Sequence, residues 1–175
     1  MSWKRLTTKT VFENPWISVH EERVINPAGG ENNYGRVHFK NQAVAIVPID
    51  DDGNTWLVGQ HRYTLNEYSW EVPMGGSPEG EDPLETARRE LKEETGLSAT
   101  EFEQVLRVHI SNSVTDEVGF VFIARGLSEG ETDFDDSEVL EIRKLPLDEA
   151  IQMALDGRIT CESSVASLLR VALER

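Results

Sequence analysis

The most informative stretch of the chain is a glycine-rich loop followed by an acidic helix, Gly75-Gly76-Ser77-Pro78-Glu79-Gly80-Glu81-Asp82-Pro83-Leu84-Glu85-Thr86-Ala87-Arg88-Arg89-Glu90-Leu91-Lys92-Glu93-Glu94-Thr95-Gly96-Leu97. Asp82 suits the N-cap of a helix, Pro83 its first position, and Glu85 the acidic position of a capping box. Gly96 suits the residue just past a helix end. These signals predict a helix over residues 82–95.

The predicted helix has two distinct faces. At about 100° per residue, Glu90, Glu93 and Glu94 fall on one face, beside an apolar stripe formed by Leu84, Ala87 and Leu91. Like charges at this spacing repel. A hard divalent cation such as Mg²⁺, which prefers oxygen ligands and bridges carboxylates to substrate phosphates, would compensate them. The alternative is a solvated acidic face with no ligand.

The same segment resembles the Nudix box, G-x5-E-x7-R-E-U-x-E-E-x-G-U, where U is an aliphatic residue. Every fixed position fits: Gly75, Glu81, Arg89, Glu90, Leu91, Glu93, Glu94, Gly96 and Leu97. The resemblance implies an α/β fold, the Nudix α/β/α sandwich with a mixed sheet. It also implies hydrolysis of a nucleoside diphosphate that is linked to another group, with divalent metal ions that neutralise the diphosphate and activate a water.

The resemblance also assigns roles to single residues. It implies metal ligation by Glu90 and Glu94, by Glu93 directly or through water, and by the carbonyl group of Met74. The expected ion is Mg²⁺, with Mn²⁺ as the alternative. Glu93 and Glu138 are the candidate catalytic residues. Glu138, in an acidic loop before a late strand, is the first choice for the general base or an additional metal ligand, and Asp136 is the second.

Two further motifs, Gln60-His61-Arg62-Tyr63 and Trp70-Glu71-Val72-Pro73-Met74-Gly75-Gly76, resemble the ADP-ribose and nucleotide-sugar pyrophosphatase branch of the family. Asn14-Pro15-Trp16-Ile17-Ser18-Val19 resembles the N-terminal domain of the same branch. The resemblance implies that Arg62 contacts the diphosphate and that Trp16 stacks on the base. Tyr34 and Arg36 are weaker candidates for the base pocket, and Glu117 for the sugar. The branch's usual Pro-Gly is replaced by Asn112-Ser113, which favours a broader or different sugar specificity.

The rest of the chain reads as strands and two more helices. A strand pair is predicted within residues 11–40, a strand buried on both faces at 43–49 with residues 55–60 as its antiparallel partner, and later strands at 104–110, 117–124 and 139–145. Helices are predicted at 148–155 and 164–173, the last with an apolar stripe of Val165, Leu168, Leu169 and Ala172. We expect two units, an N-terminal antiparallel strand subdomain over residues 1–40 and a catalytic domain over 41–175. The branch implies a homodimer with exchanged N-terminal strands.

The composition and charge of the chain limit the kinds of partner that we expect it to bind. The net charge of −15 disfavours nucleic acid and anionic membranes as partners, and no apolar run is long enough for a bilayer span. The single cysteine fits a reducing cytoplasm. Two other functions stay open: a Nudix hydrolase of RNA 5′ ends or dinucleoside polyphosphates, and a non-catalytic Nudix domain that senses nucleotide sugars.

Overall fold

The structure, a computed structural model, describes residues 2–132 and 140–174. Within them the helices are α1 (Pro83–Thr95), α2 (Leu147–Leu155) and α3 (Glu162–Ala172). The strands are β1 (Lys4–Glu13), β2 (Ile17–Ile25), β3 (Glu31–Phe39), β4 (Asn41–Pro48), β5 (Asn54–Arg62), β6 (Glu67–Glu71), β7 (Met74–Pro78), β8 (Leu97–His109), β9 (Val118–Glu129) and β10 (Glu141–Pro146). The described helices include none with the length and apolar character needed to cross a bilayer.

A four-stranded mixed sheet, ordered β7-β4-β9-β8, lies at the centre of the fold. β4 is antiparallel to β7 and parallel to β9, which is antiparallel to β8. Val44 and Ile46 of β4 pack with Ala87 and Leu91 of α1. The alternate residues Ala45 and Val47 belong to the second core, with residues of α2 and α3. The predicted α/β/α sandwich is therefore confirmed, with one helix on one face of the sheet and two on the other.

The prediction that residues 55–60 pair with β4 is wrong. β5 lies in a separate three-stranded sheet, between β10 and β6. Both edges of β4 are already occupied by β7 and β9, and apolar side chains of β5 such as Leu57 pack into the core that α2 and α3 share with β4. An apolar run predicts burial, but it does not specify the strand that completes the ladder.

The N-terminal strands form a third sheet, ordered β1-β2-β3 and antiparallel throughout. The predicted strand pair is β2 and β3, with Ile17 opposite Phe39 and Val19 opposite Val37. β1 was absent from the sequence prediction. All ten of its residues are exposed, and its Thr- and Lys-rich sequence has no apolar alternation for a pattern search to detect.

α1 begins and ends where the sequence predicts. The Asp82 carboxylate accepts a hydrogen bond from the Leu84 amide at 3.0 Å, and Gly96 adopts a left-handed conformation with φ of 72°. The capping-box role of Glu85 is wrong, since its carboxylate lies 3.6 Å from the Arg88 guanidinium, on the outer side of the helix. Asp82 is therefore the residue whose side chain caps the start of α1.

Several boundaries differ from the predictions. The strands predicted at 104–110 and 117–124 are β8 and β9, which extend back to Leu97 and on to Glu129. β6 and β7 were not predicted as strands, and Val139, the first residue of the third predicted late strand, lies outside the described residues. The strand itself is β10.

The apolar stripe predicted for α3 is partly right. Leu168 is fully buried, whereas Val165, Leu169 and Ala172 are half-buried. The most buried face also carries three serines, Ser163, Ser164 and Ser167. Two of them are satisfied internally, because the Ser164 hydroxyl accepts from the Val72 amide at 3.1 Å and the Ser167 hydroxyl donates to the Ser163 carbonyl.

Candidate active site

A cavity of about 460 Å³ opens where β4, β5, β7, α1 and α3 meet, with Trp16 from the N-terminal segment at its wall. Five of the predicted site residues line it: Trp16, Arg62, Met74, Glu94 and Glu117. Trp16 is 64% exposed, so its ring is available to a ligand and is not core packing. The cavity therefore brings together an aromatic face, a guanidinium group and carboxylates.

The acidic face of α1 points toward the loop that precedes it. Glu90 is 9% exposed and Glu94 3%, although both are carboxylates. Glu94 accepts a hydrogen bond from the Met74 amide at 2.9 Å. A Cβ atom at Gly75 would lie 2.0 Å from the Glu90 carboxyl carbon, so only glycine allows this side chain to reach the backbone of β7. The Glu90 side chain of α1 therefore lies directly against the backbone of Gly75, the glycine that begins the box.

Arg89 lies among these carboxylates and links them to the loop. Its guanidinium donates to Glu90 at 2.6 Å, to Glu93 at 3.0 Å and to the Gly76 carbonyl at 3.1 Å. It also lies 3.6 Å from Glu81, the pair that the resemblance implies as a brace between loop and helix. The arginine compensates part of the negative charge that the sequence analysis identified.

The donor atoms fit a divalent cation in type. Glu94 offers carboxylate oxygens next to the backbone of Met74, the Glu90 carboxylate lies against Gly75, and Glu93 shares Arg89 with Glu90. Hard oxygen ligands of this kind suit Mg²⁺. In the part of the chain that the structure describes, however, no three His, Cys, Asp or Glu side chains converge on one point. A cation would therefore have to compete with Arg89 for Glu90 and Glu93. Glu138 and Asp136, the candidates for the base, lie outside the described residues.

Arg62 is held by a buried carboxylate. Its Nε atom donates to Glu71 at 2.9 Å, and its Nη2 atom donates to the second oxygen of the same carboxylate. Burial raises the pKa of Glu71, but the hydrogen bonds and positive charge of Arg62 outweigh burial and hold that pKa below its usual value. Glu71 is therefore an anion that fixes the guanidinium at the cavity wall.

Glu117 lies at the end of a segment that is attached to the N-terminal sheet. The Asp116 carboxylate accepts from the Phe39 amide at 3.0 Å and contacts Arg36 at 3.0 Å and His38 at 2.8 Å. Next to it, Glu117 lines the cavity. Burial, and after it the negative charge of Glu162, raises the pKa of Glu117.

Tyr34 and Arg36 do not line this cavity. They belong to a second one of about 470 Å³ on the N-terminal sheet, together with Trp3 and Glu22. The Tyr34 hydroxyl donates to the Ser113 carbonyl, and Arg36 pairs with Glu22 and Asp116. Within one chain the structure thus separates these two residues from Trp16, and their base-pocket role stays a prediction.

Sequence reasoning missed several residues of the cavity wall, namely Phe39, Asn41, Gln42, Gln60 and Ser163. Gln60 stands in a motif that was quoted for Arg62. Asn41 and Gln42 begin β4, opposite Pro78 and Ser77 of β7. Ser163 has no distinguishing signal in the sequence, because its neighbours Glu162 and Ser164 are polar as well.

Comparisons with known proteins agree with this geometry. The NUDIX domain family matches residues 39–162, and the nucleoside diphosphate sugar hydrolase N-terminal domain family matches residues 3–37. A crystal structure of an ADP compounds hydrolase matches the fold with a TM-score of 0.88 at 24% identity, and the match covers 99% of this chain and 94% of that chain. Nudix hydrolases generally use divalent metal ions.

Two curated relatives match over almost the whole chain. An ADP-ribose pyrophosphatase of Mycobacterium tuberculosis is 32% identical over 173 residues, which are 97% of this chain and 83% of the relative. A methanol dehydrogenase activator of Bacillus methanolicus is 30% identical over 173 residues, 98% of this chain and 93% of the relative. The chain therefore belongs to the Nudix family of pyrophosphohydrolases, in the branch of the ADP-ribose and nucleoside diphosphate sugar hydrolases.

Proposed function

We propose that this enzyme hydrolyses the diphosphate of nucleoside diphosphate sugars, ADP-ribose and hexose derivatives among them, in a Mg²⁺-dependent reaction. The products are a nucleoside monophosphate and a sugar phosphate. One observation carries the proposal: Trp16, Arg62 and Glu94 line a single cavity of about 460 Å³. That volume lies within the range of about 300–1,000 Å³ that is typical of small-ligand sites.

Three side chains that line the cavity, Trp16, Arg62 and Glu117, each suit one part of such a substrate. The exposed indole of Trp16 offers a stacking face for the base, which tolerates different bases. The Arg62 guanidinium offers positive charge to the diphosphate, and its paired Glu71 keeps it oriented. Glu117 accepts hydrogen bonds from the sugar. Stacking without base-specific contacts agrees with a broad choice of nucleotide.

Glu90, Glu93 and Glu94, together with the carbonyl group of Met74, would hold the cations. Bound divalent cations supply positive charge against the diphosphate and activate a water as nucleophile. We assign proton removal to Glu93 or Glu138, of which the second lies outside the described residues. Arg89 is the positioning residue, because it ties Glu90 and Glu93 to the Gly76 carbonyl.

We further propose that the enzyme is a homodimer in which exchanged N-terminal strands complete the base pocket, with residues 1–40 as the dimerisation unit and 41–175 as the catalytic unit. Support comes from the second cavity, since Tyr34 and Arg36 lie on the N-terminal sheet away from the catalytic cavity of their own chain. A partner chain that docks there would bring them to a second active site.

A hydrolysis panel tests the proposed reaction. ADP-ribose, GDP-mannose, UDP-glucose, a dinucleoside polyphosphate, NADH and triphosphorylated RNA are incubated with enzyme and Mg²⁺, and the products are separated by chromatography. We expect a nucleoside monophosphate and a sugar phosphate from the first three. Reactions with excess EDTA and with Mn²⁺ measure the metal dependence. Turnover of RNA or of the polyphosphate, with none of any nucleotide sugar, would replace the substrate class.

A further inference from the structure

The start of α3 forms part of the cavity wall and lies outside the residues to which the proposed reaction assigns a role. Ser163, in the first turn of this helix, lines the cavity although the residue is only 7% exposed. Its carbonyl group accepts a hydrogen bond from Ser167. Among the residues that the structure describes, the Ser163 hydroxyl has no hydrogen-bond partner. A buried hydroxyl group at a cavity wall is therefore available to a ligand.

The backbone beside this hydroxyl also offers donors. The N-cap residue of α3 is Cys161, whose side chain makes no capping hydrogen bond, and the first bond of the helix runs from the Val165 amide to the Cys161 carbonyl at 2.9 Å. The amides of residues 162–164 precede that bond, so they have no partner within the helix. Most helices satisfy these groups with a Ser, Thr, Asp or Asn side chain. Here the helix start can bind an external oxygen atom.

The charged side chains near the start of α3 determine which kind of ligand group can bind there. Glu117 lines the same cavity. Burial raises the pKa of Glu117, and the negative charge of Glu162 raises it further. These two carboxylates, Glu117 on the cavity wall and the exposed Glu162 at the start of α3, oppose a further anionic group because like charges repel. They are good acceptors for hydroxyl groups, and Ser163 and the amides are donors. Such a mixture of donors and acceptors, with excess negative charge, suits a neutral polyol.

We propose that the start of α3, with Ser163, Glu162 and Glu117, is the subsite for a neutral, hydroxyl-rich group attached to the distal phosphate, and that it selects against distal groups that carry an acidic substituent. The proposal rests on the proposed function, since it assumes that a nucleoside diphosphate derivative occupies the cavity. It adds Ser163 and Glu162 as specificity-determining residues. The proximal nucleotide is bound elsewhere, by Trp16 and Arg62.

Removal of the Ser163 hydroxyl tests the contact with the sugar. Two substrates are compared: ADP-ribose, and the methyl ester of ADP, which has the same diphosphate without a sugar. In Ser163→Ala we expect KM for ADP-ribose to rise about threefold to tenfold, the value of one lost hydrogen bond. For the methyl ester KM should change less than about twofold, and kcat should hold for both. Ser98→Ala, an exposed serine on β8, is the matched control.

The outcomes separate the two proposals. An equal change for both substrates, or no change for either, overturns the subsite while the hydrolysis itself stands. Failure of the wild type to hydrolyse any nucleotide sugar overturns the proposed function first. Thermal melting curves of both variants establish that Ser163→Ala is folded, so a general loss of structure is recognised as such.

A charge test addresses the selectivity. A nucleoside diphosphate glucose and the corresponding glucuronate differ only by one carboxylate on the distal sugar. We expect the wild type to favour the glucose derivative in kcat/KM by about tenfold or more. In Glu162→Gln the preference should fall by about threefold to fivefold, whereas Glu101→Gln, an exposed glutamate on β8, should retain it. Equal kcat/KM for both sugars in the wild type, or an unchanged preference in Glu162→Gln, would reject the selection against acidic groups.

Discussion

At the residue scale, Glu94 joins the two halves of the site. Its carboxylate is 3% exposed and accepts a hydrogen bond from the Met74 amide at 2.9 Å, while the residue also lines the cavity. A buried anion is costly unless it is hydrogen-bonded or bound to a cation. The position of Glu94 therefore combines a structural contact to β7 with a place on the cavity wall.

Glu94→Gln separates these two roles. The amide oxygen of glutamine can still accept from the Met74 amide, so we expect the fold to be retained, but the negative charge that would bind a cation is lost. Mutation of groups that only support a metal ligand typically costs about 10–100-fold in activity or affinity, so loss of a ligand should cost more than about 100-fold in kcat. The measurement is kcat at saturating Mg²⁺, with circular dichroism to follow unfolding.

The matched control is Glu85→Gln, on the outer side of the same helix, where the side chain is 64% exposed. It should keep wild-type kcat, because its carboxylate contacts Arg88 and not the cavity. Turnover by Glu94→Gln within a few-fold of the control would show that Glu94 is not a metal ligand.

At the element scale, the turn between β4 and β5 holds the two core sheets together. Asp50 accepts hydrogen bonds from the Asn54 amide at 2.7 Å and the Asp52 amide at 3.1 Å, and it pairs with Lys144 of β10 at 2.8 Å. Burial raises the pKa of Asp50, but its hydrogen bonds to Lys144 and Asn54 and the charge of Lys144 outweigh burial and lower that pKa to about 2. One carboxylate thus links the turn that follows β4 to β5 and β10.

The lowered pKa predicts a pH dependence of stability. The native pKa of Asp50 lies below the value of about 3.8 expected when the chain is unfolded, so its ionised form favours folding above that pH. The stabilisation is lost as the pH falls through the native pKa. We expect Asp50→Asn to lower the free energy of unfolding at pH 7, and the difference from the wild type to shrink between about pH 4 and about pH 2. Urea unfolding at a series of pH values measures it.

Asp51→Asn is the control for this prediction, because Asp51 neighbours Asp50 in the same turn and is exposed. Its free energy of unfolding should follow that of the wild type at every pH. A difference between wild type and Asp50→Asn that stays constant down to about pH 2 would mean that the Asp50 charge does not act through the turn.

The elements also show what a sequence pattern can predict. α1 was predictable because its cap, its period and its end are local signals, and local signals need no partner. The partner of β5 was not, because hydrogen-bonding edges are distributed by the whole sheet order. β1 was missed for a third reason: its residues are all exposed, so no burial period marks them.

The residues of the candidate site likewise fall into two groups, those that local sequence signals predict and those that only tertiary packing brings together. Glu90, Glu93 and Glu94 follow from helical spacing, and Arg62 and Trp16 from short motifs that resemble the family. Ser163 is distant in sequence from all of them, and only the packing of α3 beside β4 brings it to the cavity. The bond between Asp116 and β3 likewise joins segments that are 77 residues apart. Contacts of this kind have no local signature.

At the scale of the whole molecule, the N-terminal sheet is the part least explained by one chain. β1 is exposed along its length, and Leu6, Val11 and Phe12 are 40–52% exposed on it. Trp3 and Trp16 are also more than half exposed. Exposed apolar side chains that are grouped on one unit of a protein commonly form an interaction surface. A second copy of the chain would cover this sheet and bring its Tyr34 and Arg36 near the cavity of the first.

The proposed homodimer predicts a link between the mass of the protein in solution and its activity. The wild type should have the mass of two 19.7 kDa chains in multi-angle light scattering at micromolar concentration. Val11→Glu combined with Phe12→Glu should shift the mass to one chain, because burial of two carboxylates at an interface is opposed by desolvation. If the partner completes the base pocket, KM for ADP-ribose should rise in the same variant, whereas Leu155→Glu, at an exposed position of α2, should change neither quantity. A monomeric variant with unchanged KM would agree with a dimeric wild type, but it would contradict a base pocket shared between two chains. The pocket would then be complete within one chain.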